Sequence, residues 1–136
     1  MTNEFKSKVA LIIGGTSGIG KATAEALLEK GATVHVVGRN TSKVANRSNL
    51  IKRNVNVSNT AEVNSLLPEI ESMEALDFLV NASGIFSPKP FLAHTIEDYN
   101  SYLDLNRGFF FITQSAAKKM KSKTGGSIVN VGSMWA

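Results

Sequence analysis

The chain has 136 residues, of which 43% are hydrophobic and 19% are charged. These values are ordinary for a globular protein, so they exclude a disordered chain and leave room for one packed domain, residues 1–136. The sequence has no cysteine, which excludes a disulfide framework and a thiolate metal site. Such a composition suits a reducing compartment, and we expect a cytoplasmic protein.

Fifteen basic and eleven acidic residues give a formal net charge of +4. This excess suits a small anionic ligand, but it is too small and too scattered to indicate nucleic-acid binding. No apolar run is long enough to cross a bilayer, and the N-terminus lacks the apolar core of a signal peptide. Two histidines without clustered carboxylates do not indicate a metal site. We therefore expect no metal and neither a membrane nor nucleic acid as a partner.

Short apolar runs alternate with longer helical stretches, a pattern typical of α/β folds built from βαβ units. Residues 8–13 form the first predicted strand, and residues 14–20 open a helix that continues to about Lys30. The expected buried face of this helix has four apolar residues at helical spacing: Ile19, Ala22, Ala26 and Leu27. Gly31 is placed to end the helix in the left-handed conformation.

The remaining predicted elements are, in chain order, strand 33–37, strand 50–57, helix 60–72, strand 76–80, a long helix from Ile96 or Glu97 to Lys121, and strand 127–131. Ser58 or Asn59 is the expected N-cap of the helix at 60–72, and Thr95 is the expected N-cap of the long helix. Residues 41–49 are too short and polar for a full crossover helix, so a reduced turn is expected there.

Right-handed crossovers place these strands in the order 3-2-1-4-5. The predicted fold class is therefore α/β, a doubly wound, Rossmann-like parallel sheet with helices on both faces. No sixth strand follows, so we expect a domain that is truncated after the fifth strand and incomplete at its C-terminus. The fifth strand would then be an apolar edge that is open to pairing with another chain.

A glycine-rich loop, Gly14-Gly15-Thr16-Ser17-Gly18-Ile19-Gly20, lies between the first strand and the first helix. Residues without a Cβ let the backbone approach a pyrophosphate, and the helix N-terminus offers it free amides and a positive dipole end. Gly14, Gly18 and Gly20 are the positions where a side chain would intrude. The alternative is a tight turn without a ligand, but the surrounding strand, helix and strand favour a dinucleotide site.

The end of the second strand indicates which dinucleotide is preferred. An acidic residue there would accept hydrogen bonds from the adenosine ribose of NAD, but the sequence reads Gly38-Arg39-Asn40. A guanidinium without a neighbouring carboxylate favours the 2′-phosphate of NADP. A solvated loop arginine is the alternative interpretation. We therefore expect NADP as the cofactor, with NAD less favoured.

Four segments in chain order resemble the motifs of the short-chain dehydrogenases/reductases, and the resemblance covers essentially the whole chain. The segments are Gly14-x-x-x-Gly18-x-Gly20, residues 77–84, Leu105-Asn106-Arg107-Gly108 and residues 126–133. The resemblance implies an oxidoreductase that transfers a hydride between the nicotinamide and a small-molecule carbonyl or secondary alcohol.

The resemblance also implies roles for individual residues. The cofactor would contact Gly14, Thr16, Ser17, Gly18, Ile19, Gly20, Arg39, Asn56, Val57, Asn81, Ala82 and Gly84. The two expected catalytic residues are Asn106, which would hold a water in a proton relay, and Ser133, which would hydrogen-bond the substrate oxygen. Four residues depart from the family pattern. Ile13 stands where the family often has threonine, Asn56 stands where it has aspartate, and Ala82-Ser83 replaces Asn-Ala.

The family's acid/base is a tyrosine in a Tyr-x-x-x-Lys motif beyond the serine, at a position past Ala136. Tyr99 is followed four residues later by Leu103, and Tyr102 by Asn106, so neither has the lysine that would lower its pKa. We therefore expect this chain alone to be inactive. The competing interpretation is a catalytically dead fragment that binds a nucleotide or another protein, and a third is an unstable product without function.

Three consecutive phenylalanines, Phe109, Phe110 and Phe111, lie in the predicted long helix. They do not occupy the alternating strand positions of an aromatic nucleic-acid platform. We expect them to pack the helix against the sheet or against a second subunit, and a homo-oligomer that forms through helix 97–121 is a further prediction.

Overall fold

The computed structural model describes residues 2–133, which form a five-stranded parallel sheet with helices on both faces. The elements are β1 (Val9–Ile13), α1 (Gly18–Glu29), β2 (Thr33–Gly38), β3 (Leu50–Asn54), α2 (Thr60–Ser72), β4 (Phe78–Asn81), a 3-10 turn (Phe91–Ala93), α3 (Ile96–Lys121) and β5 (Ser127–Asn130). The strand order is β3-β2-β1-β4-β5, which confirms the predicted fold class.

Alternate residues of the central strand β1 face two separate hydrophobic clusters. Leu11 and Ile13 pack on the α2–α3 side of the sheet, whereas Ala10 and Ile12 pack on the α1 side. All four side chains are completely buried. This two-sided burial explains why β1 is a continuous apolar run rather than an alternating one.

Side-chain caps define where α2 and α3 begin. The Asn59 side chain accepts a hydrogen bond from the backbone amide of Glu62 (3.1 Å), and Thr95 and Asp98 form a reciprocal capping box. Both helices therefore begin where the sequence predicts. Within residues 2–133, none of the helices is long and apolar enough to cross a bilayer.

The buried face of α1 differs from the predicted face. The helix buries Gly20, Ala24 and Leu28, and it partly buries Leu27. The other three residues of the predicted face are exposed: Ile19, Ala22 and Ala26. A Cβ on Gly20 would lie 2.1 Å from the Gly14 carbonyl oxygen, so close backbone packing sets the rotation of the helix. Ala24 and Leu28 are apolar but Gly20 has no side chain, so hydropathy alone did not distinguish this face from the predicted one.

Strand β3 ends at Asn54, three residues earlier than predicted. The amide of Val55 still donates to the carbonyl of Gly38 (3.0 Å), but β2 ends at that glycine and offers no further partner. The preceding connection, residues 41–49, contains turns and no helix, as expected.

Strand β5 lies at the edge of the sheet and pairs only with β4 among the described strands. All four of its residues are exposed, and Val129 retains 52% of its accessible surface. The prediction of an apolar edge strand is therefore confirmed.

Candidate functional site

The carboxyl ends of the parallel strands meet at one edge of the sheet. Ile13 of β1 is aligned with Val37 of β2 and with Asn81 of β4, and Asn81 is aligned with Asn130 of β5. The loops after these strands therefore start side by side. In open α/β sheets this edge is where ligands bind.

Backbone contacts hold the glycine-rich loop in place at this edge. The amide of Gly14 donates to the carbonyl of Val37 (2.8 Å), and a Cβ on Gly14 would lie 2.5 Å from the backbone nitrogen of Ser83. A Cβ on Gly20 would also meet the Cβ of Ala82 at 3.2 Å. The loop therefore lies against the segment after β4, and Gly14 and Gly20 are positions that no side chain can occupy unless the backbone moves.

Gly18 is required for a different reason. No atom within the described chain lies within 4 Å of a Cβ placed on it, but its φ of +52° is in the left-handed region. A Cβ would thus clash with protein atoms at Gly14 and Gly20 but not at Gly18, and the predicted intrusion on a pyrophosphate stays a prediction for all three. At Gly18 the backbone conformation favours glycine, and the space beside it is open to a ligand.

The N-terminus of α1 has free amide groups. Ser17 is the N-cap residue, but its side chain forms no capping hydrogen bond. Within residues 2–133, the amides of Gly18, Ile19 and Gly20 donate no hydrogen bond, and the first bonded amide is that of Lys21, to Ser17. The first turn also contains no acidic residue. Free amides at the positive end of a helix dipole are the arrangement that binds phosphate groups.

Thr16 and Arg39 lie next to the end of β2. A Cβ on Gly38 would lie 2.5 Å from Cγ2 of Thr16, so the threonine side chain rests on this glycine. Arg39 follows directly and is exposed. None of the ion pairs among residues 2–133 includes it. The guanidinium at the end of β2 is thus available to an anion.

The segment after β3 is held by both neighbouring helices. The Asn56 side chain accepts a hydrogen bond from the amide of Ser58 (3.1 Å), and the Asn56 amide donates to the carboxylate of Glu62 in α2. A Cβ on Gly108 of α3 would lie 2.1 Å from the carbonyl oxygen of Val57. Gly108 therefore lets α3 approach this segment closely.

Asn81 connects three elements through one buried amide. Its Nδ2 donates to Oγ1 of Thr113 in α3 (3.0 Å) and to Oδ1 of Asn130 in β5 (2.8 Å). Its own Oδ1 is buried without a partner in the described chain. Sequence reasoning missed both partners, although Thr113 lies seven residues after Asn106 and hence on the same helix face.

The loop between β4 and α3 is anchored at its far end by Asp98. The ammonium group of Lys89 donates to both carboxylate oxygens of Asp98 (2.6 and 2.8 Å), and the backbone amide of Thr95 donates to one of them. The hydrogen bond from Lys89, followed by that from Thr95, lowers the pKa of Asp98 to about 2. The carboxylate therefore remains charged well into the acid range and keeps this loop attached to α3.

The two expected catalytic residues lie on separate elements. Asn106 is exposed on α3, two residues before the contact of Gly108 with Val57, and Ser133 follows β5 at the carboxyl edge of the sheet. No hydrogen bond within residues 2–133 joins Asn106 to another candidate site residue. The structure thus joins the glycine loop to the segment after β4, whereas it leaves Asn106 facing solvent.

The chain matches one protein family over most of its length. The family described as short chain dehydrogenase matches residues 8–136. The chain is 32% identical to the 3-oxoacyl-(acyl-carrier-protein) reductase of Aquifex aeolicus, covering 98% of this chain and 58% of that protein. It is 33% identical to a 3alpha-hydroxysteroid dehydrogenase of Mediterraneibacter gnavus, and the match covers 96% of this chain and 57% of that protein. The chain therefore spans a little over half the length of these relatives.

Solved structures of similar proteins share the fold. A short chain dehydrogenase from Leptospira borgpetersenii with bound NAD+ superposes with a TM-score of 0.87 at 28% identity, covering 97% of this chain and 54% of that one. A short chain dehydrogenase from Burkholderia cenocepacia in complex with NADP superposes with a TM-score of 0.83, also at 28% identity. The match covers 97% of this chain and 58% of that one. With its parallel sheet, its glycine loop and these matches, the chain belongs to the short-chain dehydrogenase family.

Proposed function

We propose that this chain is the dinucleotide-binding part of an oxidoreductase that transfers a hydride between NADP(H) and a carbonyl or secondary alcohol. The observation that carries the proposal is the set of free amides at the N-terminus of α1, beside the open space at Gly18. The family membership and the dinucleotides named for two similar structures support it. A sequence without cysteine suits the cytoplasm, which is the compartment that we propose.

Each candidate residue has a proposed role toward the dinucleotide. The glycine loop with Thr16, Ser17 and Ile19 would hold the pyrophosphate. Asn56 would lie at the adenine and Asn81 near the adenosine ribose. Val57, Ala82 and Gly84 would line the cofactor. The nicotinamide, when bound, supplies or accepts the hydride. Asn106 would hold a water, and Ser133 would orient the substrate oxygen.

Arg39 is the residue that we expect to select NADP over NAD. Its exposed guanidinium has no carboxylate partner in the described chain, so it can bind the 2′-phosphate directly. A charge-assisted hydrogen bond contributes roughly 1.5–3 kcal/mol, so we expect NADPH to bind at least about tenfold more tightly than NADH. Replacing Arg39 by aspartate should remove this preference, because a carboxylate repels the phosphate.

Isothermal titration calorimetry with NADPH and NADH checks this expectation on the wild type and on Arg39→Asp. Lys118→Asp, which makes the same charge change at the distant end of α3, is the control and should keep the preference. Equal affinities for the two dinucleotides in the wild type would contradict the role of Arg39. If neither dinucleotide binds, the proposed function itself fails.

A second candidate function is nucleotide binding without catalysis. A chemical argument favours it. The hydroxyl of Ser133 can orient a substrate carbonyl but cannot supply the proton that reduction of the carbonyl requires. Neither Tyr99 nor Tyr102 has a lysine four residues later, so within these 136 residues no tyrosine matches the family's acid/base motif. Oxidation of NADPH that depends on an added carbonyl compound distinguishes the two functions.

We also propose that α3 joins two copies of the chain. Phe109 packs against the core on the α2–α3 side, whereas Tyr99, Leu103 and Phe110 are 65%, 46% and 63% exposed along one face of the helix. The phenylalanines were expected to pack against the sheet or against a second subunit. Phe109 packs inside the fold, and we propose that the exposed Phe110 packs against the second subunit.

Sedimentation velocity checks this association. We expect the wild type to sediment as a dimer at micromolar concentrations and Phe110→Asp to sediment as a monomer, because a carboxylate in an apolar interface loses its hydration. Circular dichroism should show the same helix content for both proteins, since Phe110 is outside the core. A wild type that stays monomeric at high concentration would contradict the proposal.

A further inference from the structure

Histidine is the side-chain type that gains or loses a proton near neutral pH, and this sequence has two, His35 and His94. They lie in different surroundings. His94 is exposed in the loop before α3, where its Nδ1 lies 3.2 Å from the carbonyl oxygen of Pro90. His35 lies in β2, inside the sheet, and is partly buried. A proton that is taken up near neutral pH therefore affects the packing of the sheet at His35.

The side chain of His35 lies on the α2–α3 side of the sheet. Its neighbours in the strand, Val34 and Val36, both pack in the cluster on the α1 side, and successive side chains of a strand point to opposite faces. In the sheet, His35 is aligned with Leu11 of β1 and with Ile51 of β3. Leu11 is completely buried. The imidazole thus lies beside the hydrophobic core.

One cation and one carboxylate act on His35, and they come from the two elements packed beside it. Arg53 of β3 donates through Nε to the carboxylate of Glu69 in α2 (2.5 Å), two residues beyond the position aligned with His35. Both side chains are about half exposed, so this ion pair contributes little by itself. The other residues of β1 and β2 carry no charge. The contact between the sheet and α2 is therefore balanced in charge while His35 is neutral.

Burial of the imidazole is the main reason that the pKa of His35 lies below its ordinary value of 6.5, and the charge of Arg53 lowers this pKa further. The charge of Glu69 acts in the opposite direction without offsetting the other two. When the pH falls below 6.5, the unfolded chain therefore takes up a proton at this histidine more readily than the folded chain does. The stability that neutral His35 contributes is present above that pH and is lost as the pH falls below it.

We propose that His35 is a proton-sensitive contact that holds α2 on the sheet near neutral pH and releases this helix in mild acid. A protonated imidazole places two cations, His35 and Arg53, against the single carboxylate of Glu69, at a position that is partly removed from water. Strand β2 is hydrogen-bonded between β1 and β3 and cannot move away alone. Helix α2 is joined to this part of the sheet by side chains only, so the helix is the element that moves.

Release of α2 reaches the segment after β3. The carboxylate of Glu62, in the first turn of α2, accepts a hydrogen bond from the amide of Asn56, and Asn59 caps the same turn. Asn56 is the residue that we assign to the adenine, so we expect a lower affinity for the dinucleotide in mild acid. This consequence rests on the proposed function, whereas the release of α2 does not.

Urea unfolding at about pH 7.5 and about pH 5.5 tests the proposal on the wild type, on H35Q and on the matched control H94Q. The lower pH is one unit below the ordinary value of a histidine, so we expect the unfolding constant of the wild type to rise several-fold, by at most about tenfold. H94Q should show the same rise. Glutamine takes up no proton, so H35Q should show little of it. Carboxylates that titrate in this range are common to all three proteins.

Hydrogen exchange at the lower pH shows which element is released. Amides of α2 should be less protected in the wild type than in H35Q, whereas amides of α1, on the opposite face of the sheet, should be equally protected in both. An unfolding constant that rises as much in H35Q as in the wild type overturns the proposal. A loss of protection that is equal in α1 and α2 overturns it too.

Two further measurements keep the proposal testable. If H35Q does not fold, an NMR titration of the wild type decides, because a His35 imidazole that titrates at or above the ordinary value overturns the proposal and one that titrates below it supports the proposal. Calorimetry with NADPH at both pH values tests the consequence for the dinucleotide. If NADPH binds at neither pH, the proposed function is contradicted, and the unfolding data still decide on His35.

Discussion

Replacing Gly20 by alanine is expected to abolish dinucleotide binding and to destabilise the fold by about 3 kcal/mol. The added Cβ would lie 2.1 Å from the carbonyl oxygen and 2.7 Å from the carbonyl carbon of Gly14. Both are backbone atoms, so the clash can be relieved only if the glycine loop moves away from α1. That movement would separate the loop from the free amides at the start of the helix. Urea unfolding followed by circular dichroism measures the stability, and calorimetry with NADPH measures the binding.

The matched control is Gly18→Ala in the same loop. No atom of the described chain lies within 4 Å of the new Cβ, so the main cost is the left-handed backbone, about 1 kcal/mol. Gly18→Ala should therefore unfold at a clearly higher urea concentration than Gly20→Ala. Equal stabilities of the two variants would show that steric contact with Gly14 is not what requires glycine at position 20.

Replacing Gly108 by alanine is expected to destabilise the protein by a similar amount, about 3 kcal/mol, although this residue is far from the glycine loop in sequence. The added Cβ would lie 2.1 Å from the carbonyl oxygen of Val57, so α3 would have to move away from the segment after β3. Val57 is buried in the core on the α2–α3 side, and the movement would expose part of that core. Urea unfolding of the variant measures the loss.

Gly84→Ala is the control for this second prediction. The position has open space around it and no left-handed φ, so alanine should change the free energy of unfolding by less than about 0.5 kcal/mol. A Gly108→Ala variant that is as stable as Gly84→Ala would mean that α3 can shift at little cost. The close packing of this helix would then not explain the glycine.

The sequence predicted the features that depend on residues close together in the chain. Asn59 and Thr95 define the starts of α2 and α3 because each cap needs only the next helical turn. The strand order followed from the alternation of strands and helices together with the handedness of crossovers. The glycine loop was recognised because a strand and a helix flank it directly.

Features that depend on contacts between distant segments were not predicted. The rotation of α1 is set by a backbone contact between Gly14 and Gly20, which no hydropathy pattern records. The end of β3 depends on where its neighbour β2 ends. The hydrogen bond between Asn81 and Asn130 joins residues 49 positions apart, and polar residues of this kind are equally common in turns. These contacts arise only once the strands lie side by side.

The two faces of the sheet differ in how much of the chain must be synthesised before each face can be buried. The buried residues of the cluster on the α1 side lie within the first 36 residues apart from Val80, and partly buried residues as far along as Val131 pack against them. The buried residues of the cluster on the other side extend to Met120. Contacts between nearby residues form faster than contacts that close long loops. On a ribosome, the α1 face can therefore begin to collapse early, whereas the opposite face of β1 is covered in part by α2 and completely only after α3 has been synthesised. The half of the protein that carries the glycine loop is thus the half that forms first.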